Sequence, residues 1–228
     1  MADRICVIGA GRMGEGITLS YLLAGRDVTL IDIKPRPLAE QAAHDARVLA
    51  NLRRELATFR QLGLLDGGQA DAAIGRVRLC GRDGAVADLR GARIVFEAVP
   101  ERLDAKRDAF QWLGQACAPD SVIASTTSTF LVTELAELVP HPERFLNAHW
   151  LNPAALIPLV EVSRGPQTRD AAAQELLEAL RQAGKVPVQC APAAGYIVPR
   201  IQALAMNEAA RMVDCLLYTS DAADEEDS

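Results

Sequence analysis

Ile5-Cys6-Val7-Ile8-Gly9-Ala10-Gly11-Arg12-Met13-Gly14, followed by Val28-Thr29-Leu30-Ile31-Asp32, decides the fold. The first apolar run reads as a buried strand. Gly9, Gly11 and Gly14 stand at G-x-G-x-x-G spacing, which lets a chain turn tightly, approach a pyrophosphate and pack the next helix on the sheet. A helix over about residues 14–24 then aims unpaired N–H groups and a positive dipole end at the phosphates. Asp32 lies 18 residues past Gly14, near the spacing at which a carboxylate accepts the adenosine ribose hydroxyls, and it should disfavour a 2′-phosphate, with Lys34 and Arg36 as the counter-argument. The glycines alone would suit any glycine-rich turn. The strand before them, the helix after and the acid closing the next strand favour a dinucleotide site. Gly9, Gly11, Arg12, Met13, Gly14 and Asp32 are therefore the candidate cofactor residues, and NAD is the expected cofactor.

The chain has 228 residues, half of them hydrophobic, enough for one sizeable core and a small appended domain. A net charge of -6, with Lys and Arg interspersed among acids, argues against nucleic acid as a partner. No apolar stretch has the length of a membrane span, and a strand begins within about four residues of the N-terminus, leaving no room for a signal peptide. Cytoplasm is the expected location. Cys6, Cys80, Cys117, Cys190 and Cys215 form no C-x-x-C pair and read as reduced core residues, with no disulfide or metal site expected.

Lys34-Pro35-Arg36-Pro37 halts the strand pattern, since proline removes ladder donors. Over about residues 38–62 apolar residues recur at helical spacing, with Leu49, Leu52, Leu56 and Phe59 on one face, and Gly63 ends the run. A short helix over 69–74 would complete a hairpin inserted at about residues 36–75. Its arginines could meet an anionic substrate, although a solvated charged face is the plainer reading, and His44 on that face and His141 in a turn are expected to be inert.

Strand patterns resume at Val77-Arg78-Leu79-Cys80 and Arg93-Ile94-Val95-Phe96, the latter running into Glu97-Ala98-Val99-Pro100-Glu101. Ligands sit at the ends of parallel strands. A helix over 103–116 carries Lys106 near its start, against the preference for acids there. Val122-Ile123-Ala124 opens into Ser125-Thr126-Thr127-Ser128-Thr129, a hydroxyl cluster that capping alone would explain, before a helix over about 131–138. Phe145 to His149 reads as a strand, with Trp150-Leu151-Asn152-Pro153 as the turn leaving it. Leu159-Val160-Glu161-Val162 is the next strand. It sets Glu161 among apolar neighbours, where an unpaired carboxylate is costly, so Glu161 needs a partner. A helix over about 170–183 and a strand over 186–188 finish the sheet, and 191–195 read as a hinge. A long helix over 196–213 carries Ile201, Leu204, Ala205 and Met212 on an apolar stripe and opens an all-α domain.

The run from Cys215 to Glu225 reads like the translation of a transposase-type sequencing adapter, so Asp214 is expected to be about the last natural residue. A natural acidic disordered tail is the plain alternative. The expected organisation is an NAD-binding Rossmann-type domain over 1–192, the start of a truncated helical domain over 193–214, and a non-native tail over 215–228, and the chain as given is expected to bind NAD without turning substrate over.

These motifs resemble the 3-hydroxyacyl-CoA dehydrogenase family over nearly all of residues 3–214. The likeness is carried by G-A-G-R-M-G-E-G-I, F-E-A-V-P-E with Lys106 five residues past Glu101, A-S-T-T-S-T, H-W-L-N-P, P-L-V-E-V and G-Y-I-V-P-R. The resemblance implies a doubly wound, mostly parallel α/β sheet with the helical hairpin as an insertion. It also implies His149 as general base, Glu161 as its pair, Ser128 in contact with substrate and at the cofactor site, and Glu101, Lys106 and Asn152 along the nicotinamide side. It implies NAD-dependent oxidation of a short-chain L-3-hydroxyacyl-CoA by a homodimer. Two positions depart from the pattern. The family has asparagine where Pro199 stands, and its acyl-CoA enzymes often have lysine where Pro158 stands; L-gulonate and L-carnitine dehydrogenases have proline there.

The chemistry agrees with that likeness. Oxidising a secondary alcohol needs a base for the hydroxyl proton, and imidazole titrates near working pH. A carboxylate on its other nitrogen fixes the tautomer, which would give Glu161 its partner. A core histidine bonded to a stray acid is the plain alternative. A free hydroxy acid dehydrogenase and a non-catalytic, crystallin-like NAD-binding protein are the other functional readings.

Overall fold

Central strands of a parallel sheet are covered on both faces, so their sequences are continuous apolar runs. β1 (Arg4–Ile8) and β2 (Val28–Asp32) show this, every residue but Arg4 being buried. The computed structural model describes residues 4–215. Six further strands follow, β3 (Val77–Gly81), β4 (Ala92–Glu97), β5 (Val122–Ser125), β6 (Phe145–Trp150), β7 (Leu159–Arg164) and β8 (Val186–Cys190). They form one sheet in the order β3-β2-β1-β4-β5-β6-β7-β8, in which only β6 and β7 pair antiparallel. The winding reverses between β1 and β4. Such a reversal opens a crevice beyond the carboxyl ends of the strands, where open α/β sheets bind ligands.

Helices α1 (Arg12–Leu23), α2 (Leu38–Gln61), α3 (Gly67–Ile74), α4 (Val86–Arg90), α5 (Leu103–Ala116), α6 (Val132–Ala136), α7 (Asp170–Gln182) and α8 (Val198–Asp214) connect or follow the strands. Alternate strand residues point to opposite faces. Ile5 and Val7 accordingly pack with Leu19, Leu22, Leu56 and Leu176 of α1, α2 and α7, whereas Cys6 and Ile8 pack with Leu89, Phe110, Leu113 and Leu135 of α4, α5 and α6. In the first layer the rings of Tyr21, Phe96 and Trp150 meet at centroid separations of 5.6 to 6.4 Å.

The doubly wound sheet and the hairpin insertion are as expected, with local corrections. Val48, not Leu49, completes the buried stripe of α2. α3 begins at Gly67, set by a capping box between Asp66 and Gln69. Residues 83–90 form a 3-10 turn and α4 without any periodic signal. Burial of Ala85 and Leu89 and the bonds from Arg4 and Arg78 to Asp88 hold them. α8 begins at Val198 because Gly195 and Tyr196 adopt φ of 76° and 44°, incompatible with a helix. The cysteines are free, and Cys6 is buried, but Cys215 is exposed and not a core residue. Among the described residues no helix is long and apolar enough to cross a membrane. The apolar stripe of α8 stands exposed at Ile201, Leu204 and Met212. The reading of the tail from residue 216 onward lies outside the described residues.

Phe96 is fully buried between two other rings. Phe96→Ala is expected to lower the unfolding free energy by about 3–5 kcal/mol in urea titration. A loss below about 1 kcal/mol would show that the layer repacks around the hole.

Candidate active site

After Ile8 the chain must reverse to enter α1. Gly9 makes the turn at φ 100°, and a Cβ there would lie 2.5 Å from the Ala98 carbonyl oxygen. A Cβ on Gly14 would lie 1.8 Å from the Gly9 carbonyl oxygen, so α1 packs on the turn only with glycine at that place. Gly11 is different, since a Cβ there would meet nothing within 4 Å. Within the protein it has no steric need to be glycine; its bareness suits a ligand that comes close to the backbone. No side chain caps α1, which leaves first-turn N–H groups and the positive helix end for an anion.

A cavity of about 720 Å³ runs from this turn to Asp32 at one side and to Glu101, Thr126 and Ser128 at the other. Its size suits a cofactor. At the Asp32 side, Arg36 Nε donates to Asp32 Oδ2 at 2.5 Å, and His44 Nε2 lies 3.3 Å from the same oxygen. His44 is buried and lines the cavity, so its place on a solvated face is corrected.

Lys106 is fully buried. Its Nζ donates to both carboxylate oxygens of Glu97 at 3.1 Å and lies 3.2 Å from Glu101 Oε2. A cation thus stands in the first turn of α5 for the sake of Glu97 at the end of β4 and Glu101 in the loop that follows. Ser125 Oγ and the Val99 N–H complete the shell of Glu97, at 2.5 and 2.9 Å. Glu101 accepts from the hydroxyls of Thr127 and Thr129 and from the N–H groups of Ser128 and Thr129. The hydroxyl cluster is therefore bound to these carboxylates and is no simple cap. Burial is the largest influence on Glu101 and raises its pKa, but Thr127, the Lys106 charge and Thr129 together bring it down to about 2. Its contribution to stability is complete above the ordinary carboxylate value of 4.5 and is lost as pH falls toward 2.

His149 and Glu161 face each other across the antiparallel pair β6–β7. His149 Nδ1 is 2.8 Å from Glu161 Oε2, and its Nε2 is 3.1 Å from Ser128 Oγ. The other Glu161 oxygen accepts from the N–H groups of Ile197 and Val198 at 2.8 and 2.9 Å. A carboxylate on Nδ1 makes that nitrogen the N–H bearer in the neutral ring, leaving the Nε2 lone pair for a hydroxyl proton. Tyr196 stacks on the imidazole at 4.5 Å and 11°. Its hydroxyl donates to the Thr127 carbonyl at 2.9 Å and accepts from Asn147 at 3.1 Å.

Gly9, Gly11, Arg12, Met13, Asp32, Glu101 and Ser128 line the large cavity together. Gly14 packs behind the turn, Lys106 stands behind Glu101, and His149 connects with the cavity through Ser128. Asn152 lines a separate cavity of about 140 Å³ with Glu15 and Gly16. Glu97, Tyr196 and Lys185 join the site without a single-residue signal in the sequence. Tyr196 sits in the G-Y-I-V-P-R motif and Glu97 in F-E-A-V-P-E, so motif membership is the signal that could find them. Lys185 donates to the carbonyls of Ala154, Ala155 and Ile157 and so closes the loop between β6 and β7; burial lowers its pKa to about 8. Among the described residues no three side chains group as a metal site.

The family model of the 3-hydroxyacyl-CoA dehydrogenase NAD binding domain matches residues 4–193. The chain belongs to this family. It is 33% identical over 207 residues to a probable 3-hydroxybutyryl-CoA dehydrogenase of Deinococcus radiodurans, covering 91% of this chain and 70% of that one. It is 35% identical over 211 residues to an L-carnitine dehydrogenase of Streptomyces coelicolor, covering 92% and 62%. The crystal structure of (S)-3-hydroxybutyryl-CoA dehydrogenase from Ralstonia eutropha matches with a TM-score of 0.83 at 27% identity, over 97% of this chain and 75% of that one. This 3-hydroxyacyl-CoA dehydrogenase family member is thus an oxidoreductase with NAD as cofactor, and the bare Gly11 turn and uncapped α1 fit that cofactor.

Gly11 and Gly14 separate the roles of the motif. Gly11→Ala should leave the melting temperature unchanged yet weaken NADH binding about tenfold or more, as its methyl enters the space a pyrophosphate needs. Gly14→Ala should lower the melting temperature itself. Fluorescence titration beside thermal melting checks both, and unimpaired NADH binding by Gly11→Ala would contradict the assignment.

Proposed function

We propose that the chain interconverts a short-chain L-3-hydroxyacyl-CoA and its 3-oxoacyl-CoA, with His149 as general base, Glu161 positioning it and Ser128 on the substrate oxygen. The observation that carries this reading is the Ser128–His149–Glu161 line of hydrogen bonds at 3.1 and 2.8 Å, ending on the wall of the cofactor cavity. NAD, when bound, supplies the hydride acceptor. His149 Nε2 takes the hydroxyl proton on oxidation and returns it on reduction. Glu161 balances the charge that the imidazole gains, and two backbone N–H groups keep its carboxylate in place. Ser128 Oγ marks the place of the substrate oxygen. Cytoplasmic location, an acyl-CoA partner and a homodimer belong to the same reading.

A second reading, oxidation of a free 3-hydroxy acid, is favoured by the two prolines. Pro199 follows Val198 at the start of α8, where proline costs the backbone little but offers no polar side chain to a substrate. Pro158 lines a different cavity, with Ser20, Leu23 and Lys185. The L-carnitine dehydrogenase relative supports this alternative.

The test assays NADH oxidation with acetoacetyl-CoA beside NAD reduction with carnitine and gulonate. It uses this chain and a chimera continued past Asp214 with the remaining segment of the Deinococcus relative. Acetoacetyl-CoA is expected to be the substrate. His149→Ala should lower turnover roughly 10²- to 10⁴-fold and Glu161→Gln by a similar factor, with NADH binding intact. Near-normal turnover by His149→Ala would place the base elsewhere.

Pro199→Asn should raise kcat/KM on acetoacetyl-CoA about 2- to 13-fold, the effect of one hydrogen bond. A folded variant that binds NADH and shows no gain on any short acyl-CoA would favour the free hydroxy acid.

A further inference from the structure

The adenosine end of the cavity carries more positive charge than ribose hydroxyls require. The cations Lys34, Arg36 and Arg47 line it beside Asp32, with His44 among them. Asp32 was expected to repel a 2′-phosphate, yet its Oδ2 is held by Arg36 Nε at 2.5 Å and its Oδ1 accepts from the Lys34 N–H at 3.3 Å. The carboxylate is neutralised in place.

His44 adds an independent observation. Its Nδ1 lies 2.7 Å from Arg47 Nη2, and a guanidinium only donates, so Nδ1 is the acceptor and the ring hydrogen resides on Nε2. That Nε2 is within 3.3 Å of Asp32 Oδ2 but is not aligned for a hydrogen bond, and it remains a buried polar atom with no bonding partner. Buried donors left without acceptors are rare in native proteins. Burial lowers the His44 pKa; Asp32 opposes this, and Arg36 and Arg47 add to it, with Asp45 opposing again. The ring is thus neutral at pH 7, with one N–H to offer.

We propose that Lys34, Arg36, His44 and Arg47 form a 2′-phosphate subsite, so that this chain binds NADP(H) as well as NAD(H). The proposal rests on the dinucleotide assignment of the cavity. An arginine near the acid at the end of the second strand is how such sites admit a 2′-phosphate, and guanidinium geometry matches phosphate oxygens. Lys34, Arg36 and Arg47 set three cations against the single carboxylate of Asp32 where a group of nearly two negative charges would lie. Other acids nearby are engaged elsewhere. Asp45 accepts from Gln41 on α2, Asp108 on α5 pairs with Arg82, and Glu101 is bound to Lys106.

The experiment titrates the 228-residue chain with NADH and NADPH by nicotinamide fluorescence at one ionic strength. The NADPH Kd is expected within about tenfold of the NADH Kd. Arg36→Ala should weaken NADPH about tenfold or more, the effect of one charge-assisted hydrogen bond. The NADPH-to-NADH Kd ratio should rise with it, because Arg36→Ala also releases Asp32 for the ribose. Lys34→Ala, at an exposed position, should act in the same direction more weakly and covers the case in which loss of the Arg36–Asp32 pair unfolds the turn. If His44 and its neighbours serve the ribose hydroxyls instead, His44→Gln and Arg36→Ala will weaken both cofactors alike, which overturns the subsite. NADH binding with NADPH more than about tenfold weaker overturns it as well. Failure of both cofactors to bind would overturn the dinucleotide assignment, and the subsite with it.

Discussion

Glu161 is a carboxylate with no solvent exposure, lying in a strand between apolar residues. Leaving such a charge unpaired costs several kcal/mol, so the fold around it is built from what satisfies it. One oxygen accepts a hydrogen bond from His149 Nδ1–H on the neighbouring strand, and the other accepts from two backbone N–H groups at the entry to α8. The antiparallel register sets His149 opposite Glu161, and the positive φ of Gly195 and Tyr196 delivers those N–H groups. The same bend lays the Tyr196 ring on the imidazole. A single buried acid thereby joins β6, β7 and the start of α8, and its partner is the side chain with a lone pair toward Ser128.

A second set of buried charges plays the corresponding part at the other side of the cavity. Glu97 and Lys106 are both fully buried, and they join β4 to α5 and, through Ser125, to β5. Glu101 continues this network to the backbone of residues 128 and 129. Ser128 is consequently fixed from both directions, by the Glu101 bond to its N–H and by His149 on its hydroxyl. The nucleotide turn needs no such network, because there the constraint is steric. Gly14 must stay bare for α1 to reach the turn, whereas a Cβ on Gly11 would meet nothing within the protein.

Much of this was legible in the sequence, for physical reasons that differ from element to element. β1 and β2 announced themselves because burial on both faces demands unbroken apolar runs, and α5 and α7 because burial on one face demands helical periodicity. The need of Glu161 for a partner followed from desolvation alone, whereas its pairing with His149 and the role of Ser128 came from family likeness. α4 was missed because so short a helix is held by contacts distant in sequence, from Arg4 and Arg78 to Asp88, which leave no local pattern. The burial of His44 leaves no local pattern for a related reason. Its helix face looks solvated until the turn at Lys34-Pro35-Arg36-Pro37 folds Asp32 and Arg36 against it. Likewise Lys106 looked misplaced for a helix start, and only the tertiary fold supplies its two carboxylates.

His149 can act as a base only if its Nε2 lone pair faces Ser128 while Nδ1–H donates to Glu161. Nitrogen-15 NMR of the histidine ring reads that state directly in the folded chain, without turnover. For the neutral ring of His149 we expect the Nδ1–H tautomer, converting toward a mixture in Glu161→Gln. A neutral His149 found as the Nε2–H tautomer, or one whose tautomer is indifferent to Glu161→Gln, would contradict the central claim.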